Sequence, residues 1–245
     1  MGHKKRGYKR ELPRELVRDY TLLAIACEGG KREPDYFKVF EHLSDRIKVD
    51  VIFEENEDSE HFENISNRQT KSAPRWVLDK AIKYIEKEGL IDEDQLWFVM
   101  DVDKWHHDQL REIADYCAEK HNWHIVLSNP CFEVWLYFHK SANISLSASI
   151  TCSDFKNEIS KFEKGGYHPL KFIPQLPEAI ENARFADSNN GHFFPKLKES
   201  KVYLLGDAII KIASLADFDH FLNHTLPRLK KQELGERFQR RAGKK

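Results

Sequence analysis

Short apolar runs alternate with helical stripes through residues 21–139, and few architectures accept that pattern. Residues 21–27, Thr-Leu-Leu-Ala-Ile-Ala-Cys, are continuously apolar and end at Glu28-Gly29-Gly30. A short run closed by glycines reads as a strand buried on both faces. Pro34 then fits the first turn of a helix whose stripe is Tyr36, Phe37, Phe40 and Leu43. Lys48–Phe53 alternates as a second strand, and Pro74 opens a helix with Val77, Leu78, Ala81, Ile82 and Ile85 at helical spacing. Gly89 closes that helix. Gln95–Met100 is a third strand ending at Asp101-Val102-Asp103, and a helix follows over Gln109–Lys120. His124–Leu127 is a fourth strand broken by Asn129-Pro130, and Cys131–His139 begins another helix. This alternation predicts an α/β fold: a mostly parallel sheet flanked by helices.

Beyond Lys140 the texture changes. Gly165-Gly166, Pro169, Pro174 and Pro177 punctuate short segments, and Tyr203–Leu222 reads as one long amphipathic helix. The expected organisation is a basic N-terminal segment (1–20), an α/β domain (21–140), a mainly helical C-terminal region packed on it (141–227) and a basic tail (228–245). Net charge is −1, yet residues 1–19 hold seven basic against three acidic side chains, and residues 228–245 hold eight against two. The body between them is therefore acidic. The ends, with Lys4, Lys5, Arg6, Arg240, Arg241, Lys244 and Lys245, either hold nucleic-acid phosphates or are solvated tails. There is no apolar run of transmembrane length and no leader-like start, so the expected compartment is the cytosol, with no membrane partner. Cys27, Cys117, Cys131 and Cys152 are scattered singly without a CxxC pair, which argues against structural zinc and for small buried residues.

The chemistry is concentrated in carboxylates. Parallel sheets put working residues at the carboxyl ends of their strands. Glu28 directly follows the first strand, and Asp101 and Asp103 end the third. Residues two apart on an extended segment face the same side, so the aspartates can share a cation, and Glu28 joins them if the two strands are neighbours. Hard oxygen donors suit Mg²⁺ or Mn²⁺. Glu28 is a third ligand or, with a raised pKa, a general acid or base. Glu133, in the first turn of the helix after the fourth strand, is a fourth ligand or a charge favoured by the helix N-terminus. Lys31, Arg32 and Lys104 flank the acids and suit substrate phosphates or simple charge balance. Of His106 and His107, at most one faces the site. The tryptophans belong mainly to the core, with Trp105 also placed to stack on a base.

Three motifs resemble one family. Cys27-Glu28-Gly29-Gly30-Lys31-Arg32-Glu33-Pro34-Asp35-Tyr36-Phe37 is similar to the opening signature of RloB-like proteins, CEGxKTEPxYF. Asp101-Val102-Asp103-Lys104 after an apolar strand resembles its second element, and Ser128-Asn129-Pro130-Cys131-Phe132-Glu133-Val134-Trp135-Leu136 its third, SNPxFExWL. Together they span residues 22–140 in the expected order, while residues 141–245 match loosely. The resemblance implies a Toprim-like fold, with Glu28, Asp101 and Asp103 at that fold's acidic positions. It also implies a setting in phage defence, often beside an AAA-type ATPase. Arg32 stands where the family usually has threonine, and an acidic loop, Glu54 to about Glu63, is additional. The leading expectation is an Mg²⁺- or Mn²⁺-dependent nuclease cutting DNA or RNA. The alternatives are a non-catalytic partner subunit of the ATPase and a primase-like nucleotidyl transferase.

Overall fold

A computed structural model describes residues 19–52, 74–103, 105–188 and 191–242, with the backbone alone for 235–242. The elements run β1 (Thr21–Cys27), α1 (Arg32–Lys38), β2 (Ile47–Ile52), α2 (Pro74–Glu88), β3 (Gln95–Asp101), α3 (His107–Ala118), β4 (Trp123–Asn129) and α4 (Glu133–Phe138). The C-terminal half adds α5 (Cys152–Ile159), α6 (Pro169–Phe172), α7 (Leu176–Ala186), β5 (Glu199–Ser200), α8 (Tyr203–Ala213), α9 (Leu215–His220) and α10 (Leu226–Ala242).

The strands form one sheet in the order β2-β1-β3-β4-β5. The first four are parallel, and β5 is an antiparallel edge pairing Ser200 with Ser128 and Glu199 with Asn129. The sheet is thus mixed α/β and mostly parallel, as the alternation predicts. Its continuous apolar strands are explained by burial on both sides. Along β1, Leu23, Ile25 and Cys27 enter one core, while Ala24 and Ala26 enter the other. Along β3, Trp97 and Val99 face the first core, and Leu96, Phe98 and Met100 the second. Helices α2 and α3 cover the second face through Val77, Leu78, Ala81, Leu110 and Ile113. The first face carries α1, α4 and the C-terminal helices, so Phe155, Phe172, Ile180, Leu205 and Phe221 share one core with Ile25 and Val99.

Two local features differ from the sequence reading. The expected helix over Tyr203–Leu222 is interrupted at Ser214, which sits at φ 80°. Its hydroxyl accepts the Asp217 backbone N–H at 3.2 Å, so Ser214 caps a new helix instead of continuing the old one. The two-residue β5 has too little length to carry a period. Gly89, at φ 70°, does close α2, its N–H donating to the Ile85 carbonyl at 2.8 Å. The acidic loop, Lys104 and the basic residues Lys4, Lys5, Arg6, Lys244 and Lys245 lie outside the described residues. No helix among the described residues is long and apolar enough to cross a membrane.

At the amino ends of the strands, Asp94 ties the sheet together. Its fully buried carboxylate accepts the Leu22 N–H at 2.8 Å and the Ile91 N–H at 3.0 Å. Asp94→Ala leaves both donors short of a partner and is expected to lower stability by about 1–3 kcal/mol. Denaturant titration checks this, and cation binding at the opposite end of the sheet should be unaltered.

Candidate metal centre

The parallel pairing of β1 with β3 sets Cys27 beside Val99, and the Glu28 N–H donates to the Val99 carbonyl at 3.2 Å. Glu28 therefore leaves the sheet beside the end of β3. There its Oε2 accepts the Asp101 backbone N–H at 3.0 Å. The Phe132 N–H donates to Asp101 Oδ1 at 2.8 Å, so the turn after β4 holds this aspartate in turn. The Asp103 N–H reaches the Pro130 carbonyl at 3.2 Å, which places Asp103 against the same turn. Asp101 is buried and Asp103 exposed.

Glu133, the first residue of α4, is 3% exposed and its Oε1 lies 2.5 Å from Arg32 Nη1. Arg32 and Glu133 are thus paired, and the guanidinium lies 5.9 Å from the centre of the Tyr167 ring. A cavity of about 480 Å³ opens at this edge, lined by Glu28, Gly29, Gly30, Lys31, Arg32, Glu33, Asp101, Glu133 and Lys156. Lys31 is on the rim and exposed. The structure brings together Glu28, Asp101, Asp103, Glu133, Lys31 and Arg32; Lys104 is not described. The histidines stay outside. His106 precedes α3 with its N–H on Gln109 Oε1 at 3.2 Å, and the His107 ring stacks on Phe194 at 3.9 Å. Trp105 packs beside the α2–α3 core.

Two participants were not picked out from sequence. Glu33 lies in the first turn of α1, which the two-glycine turn folds back over the strand ends. Its carboxylate rests against Gly29, where any Cβ would overlap it. The same argument that singled out Glu133, an acid in the first turn after a strand end, applies to Glu33. Cys152, at the start of α5, donates its Sγ–H to Asp103 Oδ2 at 2.8 Å. No local signal joins residues 103 and 152. Cys27, Cys117 and Cys131 are buried as expected, but Cys152 is half-buried and takes part in the acidic cluster.

Burial and mutual repulsion set the electrostatics of these carboxylates. Burial, then the charges of Glu133 and Glu28, push Glu33 up to about 7. Asp101 is driven well above the carboxylate range, by burial first and then by Glu33, Glu28 and Glu133. The Cys131 thiol is pushed up by its contact with Cys152, by burial and by Glu133 and Asp101. Asp101, Asp103 and Cys152 each present a donor atom, and the three lie within 4.8 Å of one another.

The family of RloB-like proteins matches residues 23–206, most of the chain. The chain belongs to the RloB-like family. No curated protein and no solved structure matches it. The match runs past the three motifs and through α5 and α7 into the first turn of α8.

The Glu33 shift has a definite consequence for stability. Its ordinary value is near 4.5 and its folded value near 7. Between these the folded protein retains a proton that the unfolded chain has lost, so stability falls as pH rises through that window and levels off above it. In chelator, Glu33→Gln should remove much of this decline. Thermal melts of both proteins from pH 4 to pH 8 check it, and parallel curves would show that Glu33 carries no such burden.

Proposed function

We propose that this RloB-like protein is a divalent-metal-dependent nuclease that hydrolyses a phosphodiester of DNA or RNA. The observation that carries the reading is the meeting of Glu28, Glu33, Asp101 and Glu133 in one cavity at the carboxyl edge of the sheet. Asp103 stands at the same turn through its N–H on the Pro130 carbonyl, and Arg32 is in ion-pair contact with Glu133. Buried carboxylates without matching cations repel one another, and a bound cation relieves this. The donor set fits such an ion. Asp101 and Asp103 would be its carboxylate ligands, with Glu133 as a further oxygen donor beside them, and Mg²⁺ or Mn²⁺ is the usual occupant of such groups.

A bound divalent cation supplies charge stabilisation at a phosphoryl oxygen and an acidified water. The chain's own residues do the rest. The Phe132 N–H orients Asp101 through one oxygen, and the Asp101 N–H orients Glu28. Glu28 is then held rigidly enough to take a proton from water. Lys31 and Arg32 at the rim, with Lys104 next to Asp103 in sequence, neutralise the phosphate that enters. Family membership supports a role in anti-phage defence beside an AAA-type ATPase, whose hydrolysis would control access to the centre.

The test follows cleavage, metal affinity and melting temperature together, using single- and double-stranded DNA and RNA with Mg²⁺, Mn²⁺ or EDTA. Asp101→Asn and Asp103→Asn should weaken metal binding and cleavage together, with partial rescue by added metal. Glu28→Gln should leave metal binding intact and lower turnover by about 10²–10⁴-fold, the usual share of acid–base catalysis. Equal behaviour of all three variants makes Glu28 a ligand. Full activity in all three refutes the centre, and a wild type inert even with the ATPase favours the partner-subunit reading.

A further inference from the structure

We infer that nucleic acid reaches the acidic edge as a single strand, and that the stretch beside the scissile phosphate lies in a groove between α1 and α10, with Lys38 and Lys156 on its phosphates. The inference rests on the nuclease reading above and deepens it by naming the form of the substrate and its path. Two cavities share a wall. The one lined by Glu28, Asp101 and Glu133 has a volume of about 480 Å³, and a second of about 1000 Å³ adjoins it. Lys31 and Arg32 line both. A strand lying in the second cavity therefore passes these two cations as it enters the first.

The second cavity is a built groove. It is lined by Lys38 at the end of α1, by the 167–170 segment and by Leu229 and Gln232 of α10. Two consecutive glycines aim the segment, Gly165 at φ 89° and Gly166 at φ 84°, a conformation that other residues rarely take. Lys171 Nζ donates to the Lys164 carbonyl at 2.7 Å and closes the same turn. The Tyr167 hydroxyl donates to the Arg32 carbonyl at 3.5 Å, and His168 Nε2 lies 2.5 Å from Glu233 Oε1. The segment is thus braced against α1 on one side and α10 on the other, which lowers the cost of ordering the groove on binding.

Charge and size choose the occupant. Lys31, Arg32 and Lys38 line the groove against Asp35 and Glu233, and Glu233 is engaged by His168. Lys156 adds a cation at the acidic end. It is exposed, it lines the smaller cavity, and among the described residues no carboxylate is in ion-pair contact with it. Cations strung along a path suit a chain of phosphates better than one phosphate group. Val39, Pro169 and Leu229 offer apolar surface between them, which suits unpaired bases. A cavity at the top of the small-ligand range, about 300–1,000 Å³, takes a few nucleotides of one strand. A duplex would have to part its strands to lay one there.

The test separates binding from cleavage. Fluorescence anisotropy of the full chain in EDTA is measured with a short labelled DNA or RNA strand and with the matching duplex. Either single strand should bind more tightly than its duplex. Lys38→Glu and Lys156→Met should each weaken that binding, and Lys156→Met should flatten the logarithmic salt slope by about 0.7, the share of one phosphate contact on a single strand. Lys156→Arg should restore the slope. Lys211→Glu makes the charge change of Lys38→Glu in a separate cavity at the amino ends of the strands, and its affinity should match wild type. Melting temperatures confirm that each variant is folded. Equal affinity for strand and duplex, or equal effects of Lys38→Glu and Lys211→Glu, overturns the groove, and the nuclease reading stands if the wild type still cleaves with Mg²⁺ or Mn²⁺. Binding as expected with no cleavage under either ion sinks the nuclease reading and keeps the groove as a strand-binding site. A wild type that neither binds nor cleaves any of these overturns both together.

Discussion

The pairing of β1 with β3 governs the placement of the acidic residues. Both strands are buried on both faces, so their side chains are committed to two cores at once, and a one-residue slip would send each to the wrong side. The register that satisfies both cores also brings Glu28 to the Asp101 N–H. Apolar packing in the middle of the sheet thus fixes a polar contact at its rim. The carboxylates cannot relax apart without breaking the ladder behind them.

That constraint explains why the rim is electrostatically costly. Glu33 and Glu133 reach it from the first turns of two different helices, and Asp101 from a strand end. Each is placed by burial of its neighbours: Tyr36 and Phe37 beside Glu33, Val134 and Trp135 beside Glu133. The ion pair of Arg32 with Glu133 offsets part of the charge, and Lys156 of α5 lines the cavity at greater exposure.

Much of this was legible in the residues. The glycine-bounded run before Glu28, the Asp-x-Asp after an apolar strand and the proline break before Glu133 are local signals, and parallel topology converts strand ends into neighbours. The neighbouring of β1 and β3 follows from the chemistry those ends imply. Glu33 was equally readable but was overshadowed by the motif around it. Cys152 was not, because its meeting with Asp103 depends on how α5 docks, and no period or spacing in the chain encodes a contact 49 positions apart. The break at Ser214 had a local cue, Ser-Leu-Ala-Asp, that an unbroken apolar stripe concealed.

One core unites α5, α7 and α8 with β1 and β3. The two halves of the chain are therefore not interchangeable modules. A fragment ending near residue 140 would retain every motif of the signature yet lack one wall of the cavity and the sulfur beside Asp103. It would also expose Ile25, Val99 and Trp135 to water. Recombination between relatives would accordingly have to exchange strands and covering helices as one block, and drift in α5 would be answered by drift around Asp103 and Pro130.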